Sequence, residues 1–446
     1  MEYLCKDLKE LKDSFKINQD EQKEIIKNIH IEMNKGLKGA RSSLKMLPSF
    51  VEPPTGYKKG NYLVIDLGGS NLRLMLISLE GKATVLKKEE ITIEEKIKTG
   101  TKDELFDYIS NALYNFMKKN NLDNPEQEQK LGFTFSFPVS KESINSGKLL
   151  KWTKGYDIKG VKGKDVVKLL SKSMEKIGIK NVKVVALLND AVGTLAYRKY
   201  THKDCDMSVI LGTGTNAAYI EDTSKIAKQN ISLTSTGKKM IINTEWGNFN
   251  KLRRTDYDRK LDEMSENPWE YKLEKMVSAK YIAEITKIII NDFIGKNDFS
   301  DNMKSWNNSQ LFDAEDMSEI ICDNSTELNL VREKLRKFDV NNSVLIDREV
   351  LKSICKIVMD RSAKVVATLI VGIILKIDWE LNRTQLVAID GTLYEKATGY
   401  KEKLRENIDN LLGKKKDKIK LMLTKDGSGK GAAVVAATTI ATSSFK

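Results

Sequence analysis

Three glycine-rich turns in this sequence each follow an apolar run: Asp66-Leu67-Gly68-Gly69-Ser70-Asn71 after Tyr62 to Ile65, Gly212-Thr213-Gly214-Thr215-Asn216 after Met207 to Leu211, and Asp390-Gly391-Thr392 after Gln385 to Ile389. Glycine has no Cβ, so such turns let backbone N–H groups approach phosphate oxygens closely, and the hydroxyls of Ser70, Thr213 and Thr392 add donors. The aspartates opening two of the turns can serve Mg²⁺ through water, because magnesium keeps much of its hydration shell. Taken singly, each turn is an ordinary hairpin. Gly212-x-Gly214-x-x-Ala217 is not the dinucleotide fingerprint, since Ala217 to Glu221 reads as a second strand where that motif requires a helix. Asp426 to Gly431 is not a Walker loop, because Lys430 is followed by Gly431 rather than Ser or Thr. Three turns together point to a nucleotide cleft assembled from separate segments.

A second group of residues suits a polyhydroxy substrate. It comprises Ser136-Phe137-Pro138, Trp152-Thr153-Lys154-Gly155, Asn189-Asp190 and Asn243-Thr244-Glu245-Trp246-Gly247. Each sugar hydroxyl both donates and accepts, and these side chains supply both kinds of partner. The same residue types also form caps and turns. Their density near strand ends, where α/β sheets bind ligands, favours a site.

Composition removes other chemistries. Only two histidines exist, His30 and His202, so a serine-type triad or multi-histidine metal centre has almost no parts here. A catalytic base is then a carboxylate. Four widely spaced cysteines (Cys5, Cys205, Cys322, Cys355) form no C-x-x-C pair and read as reduced thiols. The net charge is +13, yet lysines and acids alternate through stretches such as Lys87 to Lys98, and the basic run Lys414 to Lys420 lacks aromatics. A solvated surface that attracts anionic nucleotides is expected, not nucleic-acid binding. The apolar runs Val365 to Leu375 and Gly431 to Phe445 fall short of the roughly 18 residues a membrane span needs and read as buried helices. With no apolar signal-peptide core among Lys6, Lys9 and Lys12, a cytoplasmic protein is expected.

The elements that must hold these residues alternate. The 446 residues suffice for two or three domains of about 150 residues each. Residues 1 to about 55 read as helix, with Leu4, Leu8, Leu11 and Phe15, then Ile25, Ile26 and Ile29, at helical spacing. Two strand–glycine turn–strand units follow, at Tyr62 to Ser78 and Met207 to Glu221, which hints at a duplicated architecture. A helix is expected near Lys102 to Lys119, and strands at Phe133 to Phe137, Val182 to Leu188, Gln385 to Ile389 and Ile419 to Leu423. Between residues 247 and 380 the chain reads as mainly helical. Strands alternating with helices indicate an α/β protein.

Asp66-Leu67-Gly68-Gly69-Ser70-Asn71-Leu72-Arg73 resembles the hexokinase phosphate motif, usually written DLGGTNFR. Phe133 to Pro138 with Leu149 to Gly155 is similar to the hexokinase sugar-binding segment, and Leu188 to Thr194 to its catalytic segment. Gly212 to Asn216, Ile242 to Gly247, Asn267 to Lys280, Asp390 to Tyr394 and Asp426 to Ala433 follow in family order. The resemblance runs from about Ile17 to the end of the chain. It implies the actin-like ATPase (ribonuclease H-like) fold, two lobes flanking a substrate cleft. The expected division is an N-terminal helical segment on the large lobe (1–60), a small lobe (61–189), a large lobe (190–430) and a C-terminal helix returning to the small lobe (431–446).

The same resemblance implies ATP-dependent phosphorylation of a hexose, glucose first, at the 6-hydroxyl, the opening step of glycolysis. Mg-ATP would be the cofactor, hexose and ATP the partners, and a monomer or homodimer the assembly. Asp190 would be the general base, and Lys154 would stabilise the transferring phosphoryl charge. Ser136, Phe137, Thr153, Lys154, Asn189, Asp190, Asn216, Glu245 and Glu274 would contact sugar. Asp66, Gly68, Gly69, Ser70, Asn71, Arg73, Thr213, Gly214, Lys280, Ser318, Gly391 and Thr392 would serve ATP, with Asp66 also serving Mg²⁺ through water. The family's N-P-G-x-Q-x-x-E run departs here, with Trp269 for glycine and Tyr271 for glutamine, and Ala314 stands where threonine is usual. Asn267 and Pro268 read as a helix start with Glu270 completing its cap. That places Tyr271 and Glu274 on one helical face. These departures leave a sugar sensor with weak catalysis as the alternative. An actin- or chaperone-like ATPase would not need the sugar set.

Overall fold

The computed structural model describes residues 6–228 and 238–443; Leu4, Cys5 and Phe445 lie outside the described residues. Two five-stranded arrangements organise the chain. The first contains β1 (Lys59–Leu67), β2 (Asn71–Glu80), β3 (Ala83–Thr92), β4 (Gln129–Phe135) and β5 (Val182–Leu188), in the order β3-β2-β1-β4-β5. The second contains β6 (Cys205–Leu211), β7 (Thr215–Asp222), β8 (Lys239–Asn243), β9 (Gln385–Asp390) and β10 (Ile419–Leu423), in the order β8-β7-β6-β9-β10. A short strand, Leu47–Pro48, adds to the β8 edge. In both sheets the first three strands pair antiparallel and the last two join parallel. The duplicated architecture hinted at by the two glycine-turn hairpins is therefore carried through each sheet.

The helices that bear on the site are α1 (Lys6–Phe15), α2 (Gln19–Leu37), α3 (Lys102–Lys119), α4 (Val166–Lys176), α5 (Asp190–Thr201), α6 (Lys272–Val277), α7 (Leu345–Ile377) and α8 (Gly427–Ser443). Local chemistry starts several of them. Asn18 and Glu21 form a capping box for α2, and Thr101 and Glu104 form one for α3, each satisfying orphan N–H groups of a first turn. Helices α3 and α4 cover the outer face of the first sheet with Leu105, Phe106, Ile109, Val166 and Leu170. On the far side of the second sheet, α1, α2 and the 33-residue α7 build the largest core from Leu11, Phe15, Ile29, Met33, Val366 and Ile370.

Helices α5 and α8 form the middle layer, with Val192, Leu195, Ala433 and Val435 packed between Val64 and Ile77 of one sheet and Ala218 and Ala388 of the other. Their axes cross at glycines. A Cβ on Gly431 would lie 1.8 Å from the Gly193 carbonyl oxygen, so neither residue tolerates a side chain there. This crossing ties the first lobe to the second at the root of the cleft.

Where the sequence was silent or wrong, the structure adds the following. The charged run from Lys87, read as solvated surface, starts on the edge strand β3 (Ala83–Thr92), where Lys87, Lys88 and Glu90 are exposed. Charge along an edge prevents pairing with another sheet, which is why it reads as surface. The hairpin 139–149 and strand β8 were not expected. The helix expected from Asn267 begins instead at Lys272, with Trp269 and Tyr271 left-handed at φ 71° and 51°. A buried Lys275–Asp262 ion pair decides this, because Lys275 Nζ also donates to the Asn267 carbonyl at 2.6 Å and Asp262 accepts from Trp269 N–H at 3.0 Å. Those bonds spend the groups a helix would need.

Candidate active site

The two lobes face each other across a cleft of about 630 Å³, lined by the ends of β1, β4, β6, β7 and β9 and by the starts of α5 and α8. At its centre stands Asp190, the first residue of α5. The Asn189 side chain caps that helix, accepting from Ala191 N–H at 2.9 Å, and the same N–H lies 2.8 Å from Asp190 Oδ1. This fixes one carboxylate oxygen against the helix start and leaves Oδ2 turned to the cleft. Lys154 Nζ approaches Oδ2 at 3.7 Å and donates to the Ser136 carbonyl at 2.8 Å. Lys154 itself is left-handed (φ 61°), a conformation that turns the chain sharply after Thr153 and aims its side chain inward.

On one side of this pair lies a ring of amides and carboxylates. Asn216 Nδ2 donates to Asn189 Oδ1 at 3.2 Å and to Asn243 Oδ1 at 2.9 Å, and Asn243 Nδ2 donates to Glu245 Oε1 at 2.9 Å. Glu274 accepts from Thr215 N–H at 2.9 Å, and Gly214 leaves room for it, since a Cβ there would come within 2.6 Å of the carboxylate. Burial pushes the carboxyls of Glu245 and Glu274 up, Glu274 to about 7. Folding thus binds a proton on Glu274 between its unfolded value of 4.5 and about 7, and its burial costs more as pH rises through that window. Glu274→Gln keeps the bond from Thr215 N–H and has no such cost. Calorimetry of the sugar-free protein should show the variant gaining in Tm over wild type from about pH 5 to about pH 7 and levelling above; a pH-independent difference would contradict the shift.

On the other side lie the glycine turns. Asp66, at the end of β1, accepts from Ser428 Oγ at 2.7 Å and lies 3.6 Å from Arg73. Asp390, at the end of β9, accepts from Gly427 N–H at 3.0 Å. Burial raises the carboxyl of Asp66, which Arg73 counteracts, and takes that of Asp390 up to about 7. Gly391 adopts φ 124°, and a Cβ there would lie 2.2 Å from the Leu211 carbonyl oxygen, so only glycine lets the third turn nest against the second. Asn71 and Arg73 both donate to Glu90 of β3, at 2.6 and 3.1 Å. The charge of Asp190 acts on Asp66, Asp390 and Glu245 alike, and that of Lys154 on Asp66, Glu245 and Glu274. The pair stands between the two halves of the cleft.

Most of the sequence-derived set meets here: Asp66, Gly68, Gly69, Ser70, Asn71, Arg73, Ser136, Thr153, Lys154, Asn189, Asp190, Thr213, Gly214, Asn216, Glu245, Glu274, Gly391 and Thr392 all line the cleft. Three expected residues do not. Phe137 is buried among Phe135, Trp152 and Tyr156 as the packing behind the Lys154 loop. Lys280 pairs with Glu266 at 3.0 Å, and buried Ser318 accepts from Thr398 N–H at 2.6 Å. Of the departures, Tyr271 lines the cleft, whereas Trp269 is 65% exposed and Ala314 sits buried in the first turn of its own helix. Glu270 caps nothing. It pairs with Lys151 of the opposite lobe. Reading the sequence missed Ser428 and underused Thr215 and Asn243, whose signal was only their nearness to glycine turns.

Two family models, both described as Hexokinase, match residues 7–200 and 206–438. The chain is 38% identical over 450 residues to Hexokinase-1 of Spinacia oleracea, covering 96% of this chain and 90% of that protein. It is 38% identical over 449 residues to Hexokinase-2 of Solanum tuberosum, with the same coverages of 96% and 90%. Its fold is similar to that of a hexokinase from Schistosoma mansoni complexed with glucose, at a TM-score of 0.86 and 32% identity, covering 97% of this chain and 98% of that one.

Proposed function

The chain belongs to the hexokinase family, an ATP-dependent hexose kinase with that family's actin-like two-lobed fold, and we propose that it phosphorylates glucose at the 6-hydroxyl with Asp190 as general base. One arrangement carries the reading: Asp190 and Lys154 stand between an amide–carboxylate ring and three glycine turns in a single cleft. A sugar hydroxyl is a poor nucleophile. Asp190 Oδ2 takes its proton as the bond to phosphorus forms, a contribution of roughly 10²–10⁴-fold. Lys154 offsets charge on the transferring group, and the ring of Asn189, Asn216, Glu245 and Glu274, with Ser136 and Thr153, orients the sugar. The turns at Gly68 to Asn71, Gly212 to Gly214 and Gly391 to Thr392 present N–H and hydroxyl donors to the phosphates. Asp66 and Asp390, desolvated carboxylates facing that half, fit a hydrated Mg²⁺, which supplies neutralising charge when bound. Phe137 supports the site from behind, packed against Trp152, Tyr156 and the Lys154 side chain.

The sensor alternative draws little from the departures, because only Tyr271 of the three reaches the cleft. We place the reaction in the cytosol, in a monomer or homodimer, a setting that suits the free thiols of Cys205, Cys322 and Cys355. The direct test is ADP release by the purified chain with and without hexose. Release that is independent of hexose would overturn the reading.

Water must be kept from the phosphates, and sugar contacts from both lobes provide the means. Ser136 and Lys154 come from the 61–189 lobe, Asn216 and Glu245 from the 190–430 lobe, and the Lys151–Glu270 pair bridges the lobes. Small-angle scattering should show a smaller radius of gyration with saturating glucose and no nucleotide. An unchanged radius would mean a preformed site.

A further inference from the structure

Lys141 stands in the hairpin 139–149, outside the cleft, with a half-buried side chain whose ammonium turns inward. Its Nζ donates to backbone carbonyls of three segments: Ser49 at 2.7 Å, Ile144 at 3.2 Å and Leu187 at 2.5 Å. An ammonium has three donors and no acceptor, so all of its capacity is used. Burial pulls it down from 10.5 to about 7, and the three carbonyls, which favour the charged form, oppose that pull. These acceptors lie where the lobes join. Ser49 follows the short strand Leu47–Pro48 on the β8 edge, at the point where the chain leaves the second sheet for β1. Its N–H and Oγ both donate to the Ile241 carbonyl of β8, at 3.3 and 2.6 Å. Leu187 lies at the end of β5, the edge strand of the first sheet, just before Asn189 and Asp190. Both of its main-chain groups point off the open edge: the N–H donates to the Ile144 carbonyl at 2.8 Å, and the carbonyl accepts from Lys141.

We propose that Lys141 is a positioning residue for phosphoryl transfer: one ammonium clamps the end of β5 to the segment that crosses between the lobes, and so fixes Asn189 and Asp190 against the sugar. That role rests on the reading of Asp190 as general base. No neighbouring strand holds this side of β5 among the described residues, so the clamp and the Ile144 carbonyl do the work of one. Asn216, Asn243, Glu245 and Glu274 come from the other lobe, and sugar affinity therefore depends on the clamp less than the chemical step does. A reacting group misplaced by about 1 Å costs up to about 100-fold in rate.

Lys141→Met keeps the length of the side chain and removes every donor, whereas Lys141→Gln keeps two donors. The rate of single-turnover phosphorylation, equilibrium glucose binding and hydrogen exchange of the Leu187 and Ala191 amides are measured on the full chain. Lys141→Met should slow phosphorylation about tenfold or more, move the glucose Kd by less than about threefold, and speed exchange at both amides. Lys141→Gln should return the rate to within about threefold of wild type. Because three bare carbonyls can unfold the Met variant, Lys141→Ala, which admits water to them, is the second donor-free test, with the same loss of rate expected. A wild-type rate in a folded donor-free variant, equal losses in rate and glucose affinity, or a Gln variant as slow as Met would overturn the proposal and leave Lys141 a structural support. ADP release without hexose by the wild-type chain would sink the kinase reading instead, and exchange at Leu187 and Ala191 then reports the clamp by itself.

Discussion

Asp190→Ala should slow phosphoryl transfer about a hundredfold or more while hexose affinity stays close to wild type. That loss corresponds to about 2.7 kcal/mol of transition-state stabilisation. The separation of the two effects follows from the geometry. Asp190 is not part of the hydrogen-bonded chain Asn189–Asn216–Asn243–Glu245, so removing its carboxylate leaves the sugar-orienting ring intact. Helix α5 also keeps its start, since Asn189 Oδ1 still accepts from Ala191 N–H. What disappears is the single oxygen turned to the cleft beside Lys154. Single-turnover phosphorylation and equilibrium glucose binding, measured on the same preparation, check both halves. Near-normal turnover would remove Asp190 from the mechanism.

Glu274→Ala should raise the hexose KM by about tenfold or more with kcat less affected, the pattern of binding lost equally from ground and transition states. A charge-assisted hydrogen bond to a sugar hydroxyl is worth roughly 1.5–3 kcal/mol. Glu274 also holds Thr215 N–H, so its loss frees the turn that carries Asn216. Glu270→Ala is the control on the same segment. Glu270 and Lys151 are 45% and 41% exposed, and such a pair contributes about 0–1 kcal/mol. Its removal should move KM by less than about fivefold, through the closed state alone. An unchanged KM for glucose, mannose and fructose in Glu274→Ala would take Glu274 out of the sugar site and leave Ser136, Thr153, Asn189, Asn216 and Glu245 to form it.

Glu270 also shows where local reading ends. Asn-Pro-x-Glu has the spacing of a helix start, and for Asn18 to Glu21 or Thr101 to Glu104 comparable spacing is realised as a capping box. At Asn267 the local preference loses to a buried ion pair, Lys275–Asp262, whose members also bind the loop backbone. Desolvated charges that must be paired outrank a cap worth about 1 kcal/mol. Tyr271 is therefore left-handed and set into the cleft wall by packing, with its N–H 3.3 Å from Asn248 Oδ1, not by helical periodicity.

The residues proposed for the chemistry were legible because their signals are short-range. A strand, a glycine turn and an acidic or hydroxyl residue lie within a few positions of one another, and backbone approach to phosphate needs that local order. The apolar runs of β1, β2, β6 and β7 and the helical spacing of α1 and α2 were equally local, and with them came the α/β class. What only the tertiary structure decided are the partnerships that close over long separations. Ser428 reaches Asp66 from 362 positions away, and Gly193 and Gly431 permit α5 and α8 to cross. Arg361 meets Phe15 across its guanidinium face and Asp258 at Nη1, both distant in sequence. Spacing encodes hydrogen bonds a few residues apart; which buried charges and glycines meet is set by how the two sheets and their shared helices pack, and no local window contains that information.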